Sequence, residues 1–313
     1  MIDTTNGAHI WADRFDGVLE DIFELQDEVA SRVAGAIEPK LRQSEIERAS
    51  RKPTESLDAY DLYLRALAQH HKWTEEGMRE AVAQLKRAVA LDPSYAPAAA
   101  MIAYCRVFQR IQNWGPVAEA DVAEGARLAR QAIELGKDDP DALWMGGVST
   151  ASLAGDMATG ESAVDRALLL NPNSAYAWMA LGGLSYRQNR PGRAIEAYQH
   201  AIRLSPLDPL GYRFTCGLAF SQTIAGEYAE ALLWVDRSLR EQPRFRAAIN
   251  LKVILYALLG RMEEARQSLG QLRETGYGLT VASYREFLAS LLLTPEIVDL
   301  YIDALRKAGL PEA

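Results

Sequence analysis

The stretch SAYAWMALGGLSYRQNRPGRAIEAYQHAIRLSP, residues 174–206, decides the fold. Trp178 stands where a large side chain fills the space between neighbouring helices, and Ala194 stands where a second helix must pack closely on the first. Between them, Asn189 lies at a turn that favours a residue able to adopt positive φ. Pro206 ends the second helix, because proline cannot continue a helix. The stretch therefore predicts an antiparallel pair of helices.

The same features recur along the chain at intervals near 34 residues. The small residues of the second helices are Ala81, Gly125, Gly160, Ala194, Ala231 and Ala265, separated by 44, 35, 34, 37 and 34 residues. The predicted turn residues, five positions earlier, are Gly155, Asn189, Gly226 and Gly260. The prolines expected to end second helices are Pro93, Pro172, Pro206 and Pro243. A period near 34 residues is typical of stacked helix pairs, and we count six.

Two intervals exceed the period. The 44-residue interval places extra residues around RIQNWGPVAEAD, residues 110–121, between the helices of the second repeat. The 37-residue interval is explained by SPLDPLGYRF, residues 205–214, at the boundary between the fourth and fifth repeats. We expect the second insertion to change the stacking angle locally.

This series of six helix pairs, which we call the ladder, resembles the tetratricopeptide repeat family over residues 57 to about 277. The resemblance implies an all-α fold, a right-handed superhelix of antiparallel helix pairs, with a helical N-terminal cap and a short N-terminal strand or hairpin remnant. We expect residues 1–17 to be the remnant of a preceding α/β module and 18–55 a capping helix. Residues 56–280 form the predicted solenoid of about six repeats, and 281–313 form C-terminal capping helices.

A narrower resemblance concerns the whole length. The segments IDTTNGAHIWADRFDGVLEDIFELQDEVA (2–30), ESLDAYDLYLRALA (55–68) and LRKAGLPE (305–312) flank or join the repeats. Together they resemble the C-terminal region of bacterial class III adenylate and guanylate cyclases, in which a TolB amino-terminal-like module precedes the repeats. This resemblance implies a regulatory tail. The cyclase core has no counterpart in the sequence, so no cyclase residue is carried over and no enzymatic activity is predicted.

Charge, hydropathy and cysteine content restrict the partners, location and redox state that we expect of the chain. The net charge is −8, which disfavours nucleic-acid binding through a basic face. No uncharged apolar run approaches the roughly 18 residues that suggest a membrane-spanning helix. The opening residues lack the layout of a signal peptide, so we expect a cytoplasmic chain. Cys105 and Cys216 are far apart, and we expect two buried, reduced thiols.

The sequence holds none of the common catalytic or phosphate-binding motifs. It has no GxxxxGK[ST] loop, GxGxxG turn, HExxH pair or GxSxG elbow. Two of its four histidines, His70 and His71, are adjacent, and neighbours in a helix do not share a face. We therefore expect no catalytic residues, no metal site and no cofactor, with solvated or capping histidines.

A binding groove remains, because first helices line the concave face of such a solenoid. The candidate residues by position are Tyr176, Met179, Tyr186, Arg187, Arg213, Phe220 and Asn250. Their cationic and amide groups are too sparse for a site that grips a C-terminal carboxylate. An amphipathic helix or extended segment fits better, from a protein partner, a peptide or another domain of the parent polypeptide.

Two further hypotheses stay open at this point. In one, a small molecule binds in the groove and changes the stacking of the repeats, so that the chain acts as a sensor. In the other, the chain forms homo-oligomers through its terminal segments.

Overall fold

The computed structural model describes residues 42, 45, 46, 58–112, 114, 118–275 and 278–313. Across these ranges the chain forms 14 helices and no strand. In chain order they are α1 (Ala59–His71), α2 (Glu75–Leu91), α3 (Ala96–Ile111), α4 (Glu119–Leu135), α5 (Pro140–Leu153), α6 (Met157–Leu170), α7 (Ala175–Arg187), α8 (Pro191–Leu204), α9 (Gly211–Ile224), α10 (Tyr228–Glu241), α11 (Arg246–Leu258), α12 (Met262–Glu274), α13 (Val281–Ser290) and α14 (Pro295–Lys307).

The predicted turns separate the paired helices. Gly155, Asn189, Gly226 and Gly260 all have positive φ, between 54° and 83°. Each lies in the three-residue connection of one pair, where the left-handed conformation lets the chain reverse at once. Most second helices end two residues before a boundary proline, as α6 does before Pro172. The predicted positions of the turn residues and of the boundary prolines are therefore confirmed in these pairs.

Several helix starts satisfy their free backbone N–H groups with a side chain. Asp58 accepts from the backbone N–H of Asp61, and the Asp61 side chain accepts in return from the backbone of Asp58. Thr74 caps α2 and Ser174 caps α7 in the simpler, one-way form. Such caps stabilise a helix by about 1 kcal/mol each and fix its first residue.

The small series of the second helices is buried throughout. Its four alanines are completely inaccessible to solvent, and Gly125 and Gly160 are buried as well. Around them the apolar side chains form three buried clusters that follow one another along the stack. The fold is thus an all-α solenoid of tetratricopeptide-repeat type, as the sequence predicted.

Both irregular intervals appear as long connections. Residues 112–118 join α3 to α4, whereas the other five pairs of the ladder are joined by three residues. Residues 205–210 join α8 to α9, whereas each of the other four connections between repeats of the ladder, such as 171–174, contains four residues.

The solenoid curves far enough for distant repeats to touch across its inner side. Arg213 of α9 donates to the Tyr104 hydroxyl of α3 over 3.0 Å, and Tyr186 of α7 donates to the Tyr301 hydroxyl of α14 over 3.0 Å. Arg246 of α11 donates to the backbone oxygen of Gln112 over 2.8 Å. These pairs are more than 100 residues apart in sequence. The concave face is consequently divided into separate cavities.

The structure describes the segment after the ladder but only three residues of the predicted segments at 1–17 and 18–55. The predicted strand remnant at 1–17 lies outside the described residues, as does the N-terminal capping helix at 18–55 except for residues 42, 45 and 46. At the other end, α13 and α14 form a seventh pair, and α14 packs on α11. The domain boundaries themselves stay a prediction.

One aromatic ring shows how tightly consecutive repeats are joined. The Tyr198 ring of α8 lies against Gly182 of α7 and Gly217 of α9. A Cβ atom added at Gly217 would lie 2.2 Å from Cζ of Tyr198, and one added at Gly182 would lie 2.8 Å from Cδ2. Any larger side chain at Gly217 therefore displaces the ring.

We predict that Gly217→Ala lowers the stability of the chain by about 1–3 kcal/mol through overpacking. Gly270→Ala is the matched control, because Gly270 is also inside a helix but a Cβ there meets nothing within 4 Å. It should stabilise by about 0.5–1 kcal/mol through helix propensity. Urea and thermal unfolding of both variants provide the measurement.

The cause is checked in a Tyr198→Leu background. Without the ring, the cost of Gly217→Ala should shrink, because the two changes share one contact. An equal cost in both backgrounds would contradict the proposed clash.

Candidate functional site

The first helices of five repeats converge on one cavity, which we call the Arg213 cavity. It encloses about 820 Å³ of empty space, part of which is open to solvent. Its lining includes His70 and His71 of α1, Tyr104 of α3, Trp144 of α5, Tyr176 of α7, Arg213 of α9, and Ser205 and Asp208 of the connection between α8 and α9.

Arg213 is only 9% exposed, and its side chain packs against two aromatic rings that also contact each other. Its guanidinium carbon is 4.2 Å from the centre of the Trp73 ring and 4.6 Å from that of Phe108. Nη2 donates to the Tyr104 hydroxyl, whereas Nη1 has no hydrogen-bond partner among the described residues. A guanidinium stays charged in proteins, so this is a buried cation held by rings and one hydroxyl.

His70 is the second buried group with unmet hydrogen-bonding capacity. It is 4% exposed, and within the described ranges neither ring nitrogen has a partner. Burial lowers the pKa of His70 well below its usual value, and the charges of Arg213 and His71 lower it further. His70 is thus neutral at pH 7. An unpaired buried polar group costs about 1–3 kcal/mol, so this arrangement needs a physical reason.

By contrast, both carboxylate oxygens of Asp208 accept hydrogen bonds. Its carboxylate accepts from the Tyr176 hydroxyl over 2.9 Å, from the Ser205 hydroxyl over 3.1 Å and from the backbone N–H of Leu210 over 2.9 Å. Arg42, also in the lining, pairs with Asp141 over 3.0 Å. Among the described lining residues, the buried side-chain nitrogens without a hydrogen-bond partner are therefore Nη1 of Arg213 and the two ring nitrogens of His70.

Aromatic rings form the apolar part of the wall. Tyr104 meets Trp144 edge to face with ring centres 5.0 Å apart, and Trp144 stacks on Tyr176 at 5.8 Å with the planes 14° apart. Trp144 is 5% exposed and is therefore part of the core, and it also lines the cavity. The cavity thus pairs an apolar, aromatic wall with a buried cation.

A second cavity lies towards the C-terminal end, and we call it the Tyr284 cavity. It encloses about 780 Å³ of empty space, part of it open to solvent. Tyr186, Phe220 and Asn250 line it together with α13 and the leucines that follow. The Asn250 amide donates to the Tyr284 hydroxyl. Most of its wall is apolar, so it suits an apolar group.

The structure distributes the seven predicted groove residues among several places. Tyr176 and Arg213 line the first cavity, and Tyr186, Phe220 and Asn250 line the second. Arg187 donates to the Ser152 hydroxyl over 2.7 Å and lines a smaller cavity. Met179 is buried in the core between α7 and its neighbours. Their role in ligand binding stays a prediction.

Sequence reasoning missed His70, Tyr104 and Asp208. His70 and its neighbour were expected to be solvated or capping, but His70 is buried and His71 is half-buried. Asp208 lies in the insertion at 205–214, for which we expected only a change in stacking angle. The sequence feature that marks Asp208 is the insertion itself.

The described residues contain neither a cluster of metal-binding side chains nor a helix that could span a membrane. Within those ranges no group of three or more His, Cys, Asp or Glu side chains is placed to hold a metal ion. None of the helices found there is long and apolar enough to span a membrane. Cys105 and Cys216 are free and buried, as expected.

The curved stack of helix pairs and its inner cavities define the class of the chain, a tetratricopeptide-repeat solenoid. Residues 149–209 match the family model described as tetratricopeptide repeat. The Cut9–Hcn1 hetero-tetramer of the APC/C has a similar fold, with a TM-score of 0.57, 13% identity, and coverage of 91% of this chain and 49% of that chain. PilF of Pseudomonas aeruginosa covers 74% of this chain and 96% of its own, with 18% identity and a TM-score of 0.49.

A curated relative supports the narrower resemblance. The chain is 33% identical over 140 residues to putative adenylate cyclase 3 of Rhizobium meliloti (strain 1021). The match covers 45% of this chain and 24% of the relative, so it spans about a quarter of the relative's length.

We predict that His70 makes the stability of the chain fall on acidification. Its pKa is depressed in the folded state, so below the unfolded value of about 6.5 the unfolded chain binds a proton that the folded chain does not. Stability is unaffected above that pH and falls below it, by at most about 1.4 kcal/mol per pH unit for one group.

The measurement is urea unfolding at pH 7.5 and pH 5.5. His70→Phe keeps a ring among Trp73 and Tyr104 and should reduce the loss of stability at pH 5.5 by about 1 kcal/mol. The exposed His200 also has a lowered pKa, but one less depressed than that of His70, so His200→Gln should reduce the loss by a smaller amount than His70→Phe does. If His70→Phe retains the full loss, His70 is not the group responsible.

Proposed function

We propose that this chain is a non-catalytic protein-interaction module and that it serves as the regulatory tail of a bacterial signalling polypeptide of the adenylate cyclase kind. The tetratricopeptide-repeat fold supports the first part, since such solenoids present extended concave surfaces to partners. The likeness to putative adenylate cyclase 3 supports the second part. The partner is then another protein or another domain of the same polypeptide, not nucleic acid or membrane.

The Tyr284 cavity is the observation that carries this proposal. Its wall is formed by α3, α7, α9, α11, α12 and α13, and it includes Phe220, Phe287, Leu288 and Leu291. Arg246 and Gln112 lie at the same cavity and supply polar groups. A mostly apolar pocket with a few polar groups suits an apolar side chain of an amphipathic partner helix. The backbone groups of such a helix are hydrogen-bonded within the helix, so the pocket need not pair with them.

The test places the photo-crosslinking residue p-benzoylphenylalanine at Phe287, which is half-buried and lines the cavity. The control carries it at Leu233, a residue of α10 that is 70% exposed and lines neither cavity. We expect crosslinks to a protein in bacterial lysate at least about tenfold stronger from position 287, as hot-spot pockets dominate binding.

Two outcomes would contradict the proposal. One is equal crosslinking from both positions, which would place contacts all over the surface. The other is formation of a cyclic nucleotide by the purified chain from ATP or GTP, because an interaction module has no turnover of its own.

A second candidate function is the sensing of a small molecule, and the Arg213 cavity favours it. Side chains from five repeats form its wall, so a ligand there would contact repeats that are distant in sequence. Any ligand that prefers one arrangement of the repeats stabilises that arrangement.

Self-association through the terminal segments also stays a hypothesis. Most of the N-terminal segment that it invokes, residues 1–17, lies outside the described residues. Light scattering of the chain with and without that segment would test it.

A further inference from the structure

We propose that α13 is a lid over the Tyr284 cavity and that residues 310–312, which we call the latch, hold it closed. For the occupant of the cavity, an apolar side chain of a protein partner, the inference rests on the proposed interaction function. It adds how access to that site is controlled. The latch is the end of the segment LRKAGLPE (305–312), whose role the interaction function alone does not explain.

The helix α13 forms one side of the cavity with its apolar face. Tyr284, Phe287 and Leu288 line the cavity. On the opposite face of the helix, Arg285 and Glu286 are exposed. Because part of the apolar face borders a cavity, its side chains contact fewer atoms there than they would in a filled core. The helix is thus apolar towards the cavity and polar towards solvent, as a lid must be.

The rest of the chain holds α13 at few places. First helices of the ladder, such as α5, pack on their own partner and on both neighbouring repeats, whereas α13 packs chiefly on α14. Across the cavity, the Asn250 amide donates to the Tyr284 hydroxyl. On the outer side, Arg285 pairs with Asp299 of α14 over 2.9 Å, but such an exposed ion pair contributes little. A helix with few buried contacts opens more readily than a core helix.

The latch attaches to the first residues of α13. The backbone N–H of Val281 donates to the carbonyl oxygen of Pro311 over 2.8 Å, and that of Ala282 donates to the carbonyl oxygen of Glu312 over 3.1 Å. The first N–H groups of a helix have no acceptor within the helix, so the latch supplies two of the missing acceptors. Thr280 caps the third N–H group. The start of α13 therefore depends on the latch for two hydrogen bonds.

The latch is itself anchored to α14. Gly309 has a φ of 94°, which lets the chain turn back after this helix. Leu310 is buried, and Arg306 of α14 donates to the Glu312 carboxylate over 2.7 Å. Because α14 packs on α11, the latch ties the start of the lid to the body of the solenoid.

The connection that follows α13 lowers the cost of opening. Leu292 has a φ of 59°, in the left-handed region where a side chain with a Cβ atom is strained. The corresponding turns of the ladder carry residues that adopt this conformation more easily, namely Gly155, Asn189, Gly226 and Gly260. Strain at Leu292 is released when the packing that imposes it opens, so the closed lid needs the latch.

The experiment measures amide hydrogen exchange by mass spectrometry in the full chain and in a variant that lacks residues 310–313. The matched control lacks only Ala313 and keeps the whole latch. Without the latch, we expect peptides from α13 to exchange at least about fivefold faster, because two hydrogen bonds at the helix start are lost. Peptides from α11 and α12 should keep their rates in both variants.

A second readout follows access to the cavity. It uses p-benzoylphenylalanine at Phe287 and the protein that the full chain captures there. Without the latch, the initial rate of crosslinking should rise at least about threefold, because the lid is open for a larger fraction of the time. If position 287 captures no protein in either chain, the proposed interaction function fails, whereas hydrogen exchange still decides on the lid.

Three results would overturn the inference. The first is equal exchange in α13 with and without the latch. The second is an equal acceleration in α11, α12 and α13, which would report loss of the whole C-terminal end. The third is unchanged crosslinking despite faster exchange in α13, which would exclude control of access.

Circular dichroism checks that the shortened chain is folded. If it is not, the full-length variant Pro311→Gly with Glu312→Gly decides by the same criteria. That variant keeps Leu310 and loosens the backbone that carries both acceptors, so exchange in α13 should again be faster than in the full chain.

Discussion

The close approach of helix backbones, which only a hydrogen atom or a methyl group as side chain permits, underlies every repeat of this chain. At Gly147 and Gly160 the approach is so close that a Cβ atom on either would lie 2.6 Å from the carbonyl oxygen of the other. Where a larger side chain does enter such a contact, glycines make room for it, as they do around Tyr198. Interiors packed at this density have no space to relax, so the geometry of one pair is passed on to the next.

Because each pair adds a similar rotation to the stack, the solenoid curves until its inner face meets itself. Arg213 then reaches Trp73, Phe108 and Tyr104, which belong to the first two repeats. This contact places a buried cation where a freely accessible groove was expected. It also explains why the inner face is divided into cavities.

The two irregular segments of the ladder share one structural role. The 112–118 connection supplies Trp114, whose ring meets Trp73 at 5.9 Å, and Gln112, which accepts from Arg246. The 205–210 connection supplies Ser205 and Asp208 to the wall of the Arg213 cavity. Residues in these connections do not have to pack between helix pairs, so they can make contacts that residues at the repeat positions cannot make.

The sequence by itself determined the helix pairs, their turns and the six-repeat ladder, because spacing along a helix fixes which residues share a face. It also selected Tyr176, Arg213 and three residues of the second cavity, since position in a first helix is a local property. Only the tertiary structure decided that Arg213 is closed in by rings more than 100 residues away, that His70 is buried beside it and that Met179 is core. Those outcomes depend on the accumulated curvature of the stack, which sums small rotations over several repeats and cannot be read from any one of them.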